Sequence, residues 1–546
     1  MDELEDLLNQ WSALAAPAAD EAAAFSITLP DGGRTISARL SPLKKRFRFL
    51  VQPAFMTPKL CAETGNRFWI LVFPELTARD TEPLAFQTAR VLRRLFGADS
   101  ARPVLIDSLV GEAYISSGEL AFSGNCESDN GGPVKHGWAL VGHGMLHAWD
   151  KTKGAGVTIA SIDTGYSNHR ELAGAIEMDG QLNLLETDTP SDARDRFSVG
   201  WLRHPGHGTL VASVVASRGT VSQDGATDDD DKRVTGAAPE ARVLPIRVTR
   251  SVIDTRQKHL PAAIEHAVNR GCDVIVFALG GLTPIEPVEA AMRYAVANGV
   301  VIVCAAGNCI GSVVFPAQFA KQGLAAAIAA VDFQYNPWEK TSKGSAVTVS
   351  AFGEAVWGAR KRKEDESDEG VEAQQGTTLA ASLTAGAAAL WVAAKRGRAR
   401  LKAIADRNGV SVQTLFNEAL RATAHRPSGW PNTGMGAGVL NAGALVNTRV
   451  REISNRLLPQ TKVAITHVTP LRRLLADAVA EINPMAAFEA ASLDEDLAAE
   501  ALWRFHVSRA RERAAAMSKQ SREPLATTPA LASALSSRPR LEALLT

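Results

Sequence analysis

The sequence predicts an α/β fold: a doubly wound, mostly parallel sheet flanked by helices, with an N-terminal α/β region and a helical C-terminal extension. Two observations carry the core prediction. Over residues 134–449, short apolar runs alternate with segments of helical period, the pattern of parallel strands joined by crossover helices. Within that stretch two helix–glycine–strand units follow one another. Leu260 to Asn269 stops at Gly271 before a strand over Asp273 to Leu279, and Val288 to Asn298 stops at Gly299 before Val300 to Ala305. Glycine just past a helix end is a common cap, because it takes a left-handed conformation at no steric cost. Sheets of this kind gather functional residues at the carboxyl ends of their strands.

Taken in order, residues 1–125 hold an acidic, Ala-rich helix over 1–24 and then a small α/β region. There Trp69 to Phe73 reads as a strand, Leu84 to Phe96 as a helix and Val104 to Ile106 as a returning strand, a βαβ-like unit. In the core, Val157 to Ile162 and Arg242 to Val248 read as further strands. Residues 450–546 are helical and rich in Ala and Arg. Leu497 to Val507 is an amphipathic helix suited to docking a partner or self-associating, and the tail from Ser518 reads as flexible. Two charge runs, Asp228 to Lys232 and Arg360 to Glu366, read as solvated loops.

Composition narrows the function. The 59 Lys and Arg balance the 59 Asp and Glu, which argues against a protein built mainly to bind nucleic acid. Five cysteines in no close pairing give neither a disulfide framework nor a zinc site. Cys304 and Cys309 therefore read as small buried apolar residues. Residues 1–30 carry six acidic residues and no Lys or Arg, unlike a secretory leader, whose start is basic. The most apolar run, Leu379 to Ala394, is broken by Ser382, Thr384 and Gly386 and falls short of the roughly 20 residues a membrane span needs. A cytoplasmic chain with no membrane segment is the expectation.

Four short segments carry chemistry. Asp163 ends an apolar strand, where a carboxylate needs a donor such as an imidazole N–H. His207 lies between glycines in Gly206-His207-Gly208-Thr209, ahead of a run of small apolar residues suited to a helix beginning at the histidine. Asn308 follows Ala305-Ala306-Gly307 at another strand end, where its amide can donate to a developing oxyanion. Gly376-Thr377-Thr378 turns into a small-residue helix and presents a hydroxyl at its N-terminus.

In this order and context the four segments resemble the subtilisin-like serine peptidases (subtilases, peptidase family S8) over roughly residues 138–446. The resemblance rests on Ala155 to Gly165, His207-Gly208-Thr209, Gly236 to Val248, Ala278-Leu279-Gly280-Gly281, Ala305 to Asn308, Val314 to Ala317 and Gly436 to Ala442. It implies an endopeptidase working through an acyl-enzyme on a polypeptide substrate. Asp163 would orient the imidazole, His207 would act as base and then acid, and Asn308 would be the oxyanion donor, with the substrate backbone along Leu279, Gly280 and Gly281. It also implies that residues 1–125 hold a pro-domain or regulatory domain. No cofactor is assigned; calcium enters by resemblance alone.

The nucleophile loop departs from the pattern. The family's serine is Thr378, its proline four residues on is Ser382, and the histidine after that is Leu383. Ser382 lies a helical turn too far along to stand in. A threonine hydroxyl is a competent nucleophile. If its extra methyl costs about 1–3 kcal/mol in packing, the rate falls about 5–160-fold. Two readings follow: a slow peptidase with an Asp163–His207–Thr378 triad, or a peptide-binding or regulatory module of the same fold without catalysis.

Overall fold

Strand formation in the core follows the apolar runs, because a parallel strand covered on both faces buries every side chain. In the computed structural model, which describes residues 1–14, 22–30, 36–78, 81–105, 133, 135–186, 188–198, 203–227, 233–252, 257–460, 464–518 and 525–545, those runs build one seven-stranded parallel sheet.

Four strands precede it: β1 (Ala22–Thr28), β2 (Leu50–Pro53), β3 (Phe68–Thr77) and β4 (Ser100–Val104). The large sheet comprises β5 (Thr158–Asp163), β6 (Leu182–Asn183), β7 (Arg242–Arg247), β8 (Val274–Phe277), β9 (Val301–Ala305), β10 (Ala326–Val331) and β11 (Val347–Phe352). Its order is β11-β10-β9-β8-β5-β7-β6. From β7 the chain crosses over β5 to place β8 on its other side, so the winding reverses about β5, the place where such sheets open a crevice at their carboxyl edge. A small antiparallel hairpin, β12 (Val356–Ala359) and β13 (Val371–Gln374), follows. The helix Thr377–Ala394 then runs through the middle of the core. It is the one helix among the described residues long and apolar enough to cross a membrane, and 89% of that window is buried inside the protein.

The N-terminal sheet has order β2-β3-β1-β4. Both β3 and β4 are antiparallel to β1, so the strand–helix–strand unit read from the sequence is split, with β1 inserted between its strands. This corrects the expected helix over residues 1–24. The helix is Asp2–Ser12, and Ala22 to Ala24 belong to the central strand. Pairing on both edges, with Phe25 packed between Trp11 and Phe73, outweighs the helical preference of alanine.

The N-terminal sheet sits on two core helices, Leu260–Asn269 and Glu286–Ala297. Buried Glu265 accepts from the N–H groups of Met56 (2.5 Å) and Thr57 (3.1 Å), and Glu286 from Arg102 (2.6 Å) and the Thr28 hydroxyl. The long C-terminal helix Glu495–Ser518 covers the other side of the helix Glu82–Phe96. Trp503 packs on Phe86 at 6.0 Å and Glu500 pairs with Arg90 at 3.2 Å. The apolar residues the sequence offered for docking, Leu502, Trp503, Phe505 and Val507, are thus buried in this chain. The expected flexible tail is also corrected, since Pro529–Leu535 and Pro539–Leu545 are helices. Their leucines recur at i, i+4 (Leu531, Leu535; Leu541, Leu545) and are buried. Thr528 caps the first helix and bonds Glu500, a start signal readable in Thr528-Pro529.

Candidate active site

β5 delivers Asp163 at its last residue, and the helix His207–Ala216 begins at the histidine. They meet because Gly208 brings the helix against the Asp163 turn: a side chain there would begin 1.9 Å from the Gly165 carbonyl oxygen. His207 Nδ1 lies 2.8 and 3.1 Å from the two Asp163 oxygens, and Asp163 Oδ1 also accepts from the Thr164 N–H at 2.7 Å. Asp163 is 1% and His207 4% exposed, so the ion pair formed when the imidazole takes a proton is shielded from water.

The helix Thr377–Ala394 starts at Gly376 and presents Thr378 to the other imidazole nitrogen. Thr378 Oγ1 stands 3.3 Å from His207 Nε2 and 3.4 Å from the Ala278 carbonyl oxygen. Its single proton therefore has two acceptors in reach. The separation from the imidazole lies just beyond the 2.6–3.2 Å of a formed catalytic hydrogen bond, the looseness common before substrate arrives. Ser382 donates to the Thr378 carbonyl at 2.8 Å and points along the helix, away from the histidine.

Asn308 follows β9. Its Oδ1 accepts from the Thr377 N–H (2.9 Å) and hydroxyl (2.8 Å), which fixes the amide so that Nδ2 faces away from Thr377. Gly376 permits the approach, since a Cβ there would lie 3.0 Å from Asn308 Nδ2. Asp163, His207, Thr378 and Asn308 thus converge at the carboxyl edge of the sheet, next to the reversal at β5. The expected substrate-pairing segment, Leu279-Gly280-Gly281, follows β8 on the same edge. Part of its backbone is already engaged: the Gly280 N–H donates to Val252 at 3.2 Å, and Gly281 exchanges two bonds with Phe315, each 2.9 Å.

Three features escaped the sequence reading. A buried network under the Asp163 turn joins the aspartate and histidine segments. Asp195 accepts from the Thr164 hydroxyl (3.0 Å) and the Gly206 N–H (2.8 Å), and the Gly208 N–H donates back to Thr164 Oγ1 at 3.1 Å. Arg247, fully buried on β7, pairs with Glu186 at 2.9 and 3.0 Å. Burial works to raise the Glu186 carboxyl, yet the Arg247 and Arg250 guanidiniums hold it down at about 2. An arginine inside an apolar strand was the available signal, because a buried charge requires a partner.

Second, the Arg360 to Glu366 run does not lie clear of the site. It belongs to the β12–β13 hairpin, where Lys361 is buried, pairs with Asp368 at 2.6 Å and stacks over Phe197. The Lys361 carbonyl presses on Gly206, so the hairpin walls the cleft beside His207. The other charge run, Asp228 to Lys232, lies outside the described residues. Third, Cys304 is buried and free as expected, and burial pushes its thiol well above the usual range. Cys309, expected to be a buried free thiol, is instead half-buried and disulfide-bonded. As for calcium, no group of three or more His, Cys, Asp or Glu residues among the described residues is placed to hold a metal ion.

The chain is similar to known proteins. The Subtilase family model matches residues 154–436, just over half of the 546. Thermitase from Thermoactinomyces vulgaris is 29% identical over 259 residues, covering 47% of this chain and 82% of that protein. The major intracellular serine protease of Bacillus subtilis (strain 168) is 32% identical over 163 residues, 29% of this chain and 46% of that protein, so the chain spans about half the length of that relative. Fervidolysin from Fervidobacterium pennivorans, 17% identical, shares the fold with a TM-score of 0.52 over 80% of this chain and 62% of that one. With the parallel sheet, the reversal at β5 and the family match in agreement, the chain belongs to the subtilase family.

Proposed function

We propose that the chain is an intracellular subtilisin-like endopeptidase that cleaves polypeptides through an acyl-enzyme on Thr378. The observation that carries this reading is the line Asp163–His207–Thr378, with the threonine hydroxyl 3.3 Å from Nε2. A substrate carbonyl seated between Thr378 and Asn308 would be attacked by the Thr378 oxygen as His207 takes its proton. The tetrahedral oxyanion would accept from Asn308 Nδ2, and His207 would return the proton to the leaving amine. Water then repeats the sequence to release the acyl group. The named intracellular relative supports the cytoplasmic placement, and the Cys309 disulfide, a bond rare in the cytosol, weighs against it.

The same reading gives the chain three parts, 1–125, 134–449 and 450–546, with the first a pro-domain seated on Glu265 and Glu286 and cleaved off on maturation. A full-length chain that stays intact while fully active would refute that maturation step.

A second reading, a peptide-binding or regulatory module without turnover, draws on the nucleophile loop and on the Gly280 N–H already held by Val252. Cleavage of an unfolded protein by the full-length chain and by Thr378→Ala separates the two. Products that vanish with Thr378→Ala support the peptidase; no cleavage by the native chain supports the binding module.

A further inference from the structure

An oxyanion donor works only if it is already aimed when charge develops, and a 1 Å misplacement costs about 100-fold. What holds Asn308 is therefore a functional question. Its loop is irregular: Gly307, Cys309 and Gly311 all have positive φ, at +108°, +59° and +84°, and a non-glycine residue takes that conformation only where its surroundings impose it, here beside the Cys309 disulfide and the Thr377 contacts to Asn308. Support comes from the loop over residues 340–343. The Cys309 N–H donates to Lys340 (2.7 Å), the Ser342 N–H donates to Gly307 (2.8 Å), and Ser312 pairs with Lys343.

Both loops are in turn gripped by the long C-terminal helix, which lies beyond the family-matched residues 154–436. Ser312 Oγ lies 2.7 Å from His506 Nδ1, and Arg513 Nη1 donates to the Thr341 carbonyl at 3.3 Å. His506 is 1% exposed, its ring stands nearly perpendicular to Phe315, and Nε2 has no partner among the described residues. The ring's hydrogen bond among the described residues therefore runs to Ser312. Burial holds the His506 pKa down at about 4, which keeps the ring neutral near pH 7. The Ser345 N–H and hydroxyl bond Glu481 at 3.1 and 2.6 Å, a third contact from the C-terminal extension to this region.

We propose that the C-terminal helix sets the position of Asn308 from outside the peptidase core, with His506 and Arg513 as positioning residues acting through Ser312 and Thr341. This rests on the peptidase reading, in which Asn308 is the oxyanion donor. The extension then adds a restraint on the oxyanion loop beyond those the core supplies through Thr377, residues 340–343 and the Cys309 disulfide.

The test uses the full-length chain and its Thr378→Ser form, each carrying Ser312→Ala or Ser312→Thr, with a fluorogenic peptide amide. Ser312→Ala is expected to lower kcat about five- to tenfold with KM changed less than about twofold, and Ser312→Thr to retain activity. In an Asn308→Ala background, Ser312→Ala should cost nothing further, because its effect passes through Asn308. An equal loss in that background, or an unchanged kcat, overturns the proposal. Hydrogen exchange over residues 305–315 reads the same brace without turnover. Faster exchange there in Ser312→Ala supports it, and unchanged exchange overturns it. If no form turns over, the peptidase reading fails by itself and the exchange result alone decides the brace.

Discussion

The two halves of the candidate site are built differently. On one side Asp163 and His207 are buried, joined at 2.8 and 3.1 Å, and tied together from below by Thr164, Asp195 and Gly206. On the other side Thr378 reaches the imidazole at 3.3 Å, shares its proton with Ala278 at 3.4 Å, and faces a half-buried Asn308 whose loop leans on a helix from the far end of the chain. The imidazole side draws its supports from the core alone. The hydroxyl side combines core contacts, through Thr377, with contacts from the C-terminal helix. The difference is that the two sides of one sheet edge are held by different parts of the chain.

Breaking the well-built half should have the largest effect. His207→Ala is expected to lower kcat by about 10⁶-fold, the cost of losing a triad member that acts as a unit with the nucleophile; steady-state kinetics on a peptide substrate checks it. Asn308→Ala is expected to cost roughly 100–1000-fold in kcat with KM nearly unchanged, as removal of this donor does in subtilisin. Thr378→Ser removes the methyl and sharpens the contrast from the other side. A rise in kcat of about 5–160-fold is expected, corresponding to relief of about 1–3 kcal/mol of crowding. Gly208→Ala should cost stability, and activity with it as His207 moves from Asp163. Its Cβ would begin 1.9 Å from the Gly165 oxygen, and a loss of about 1–3 kcal/mol in denaturant unfolding is expected as the helix shifts from the Asp163 turn.

A separate effect concerns pH. Burial pushes the pKa of His143 down to about 3, against the opposing Leu440 carbonyl, and its Nε2 accepts from the Phe352 N–H at 2.9 Å. In the unfolded chain a histidine titrates near 6.5. Below that pH the unfolded state binds a proton that the fold refuses, so stability falls as pH drops from about 6.5 toward 3. The slope from this group is up to about 1.4 kcal/mol per pH unit. Unfolding midpoints between pH 7 and 4 measure it.

Much of the core was legible in the sequence because its signals are local. The helix from His207, the strand ending at Asp163 and the helix–glycine–strand units each occupy about 20 residues or fewer, and caps and apolar period suffice to place them. The Thr164–Asp195 and Arg247–Glu186 contacts join residues 31 and 61 positions apart, and no periodicity reports them. Alanine misled at residues 22–24, where pairing with two strands overrides local preference. The tail misled for the opposite reason: its leucine spacing and Thr528 cap were local, but seven-residue helices give too few repeats to stand out. The contact between Ser312 and His506 was legible nowhere, since serine and histidine carry no pairing signal in isolation.

The claim that most needs testing is that Thr378 is a working nucleophile. A fluorophosphonate probe applied to the native chain, Thr378→Ser and His207→Ala, with the labelled residue located by mass spectrometry, addresses it directly. Labelling of the native chain at Thr378 that disappears in His207→Ala is the predicted result. Labelling of Thr378→Ser alone, with the native chain unmodified, would contradict it and leave the fold as a binding module.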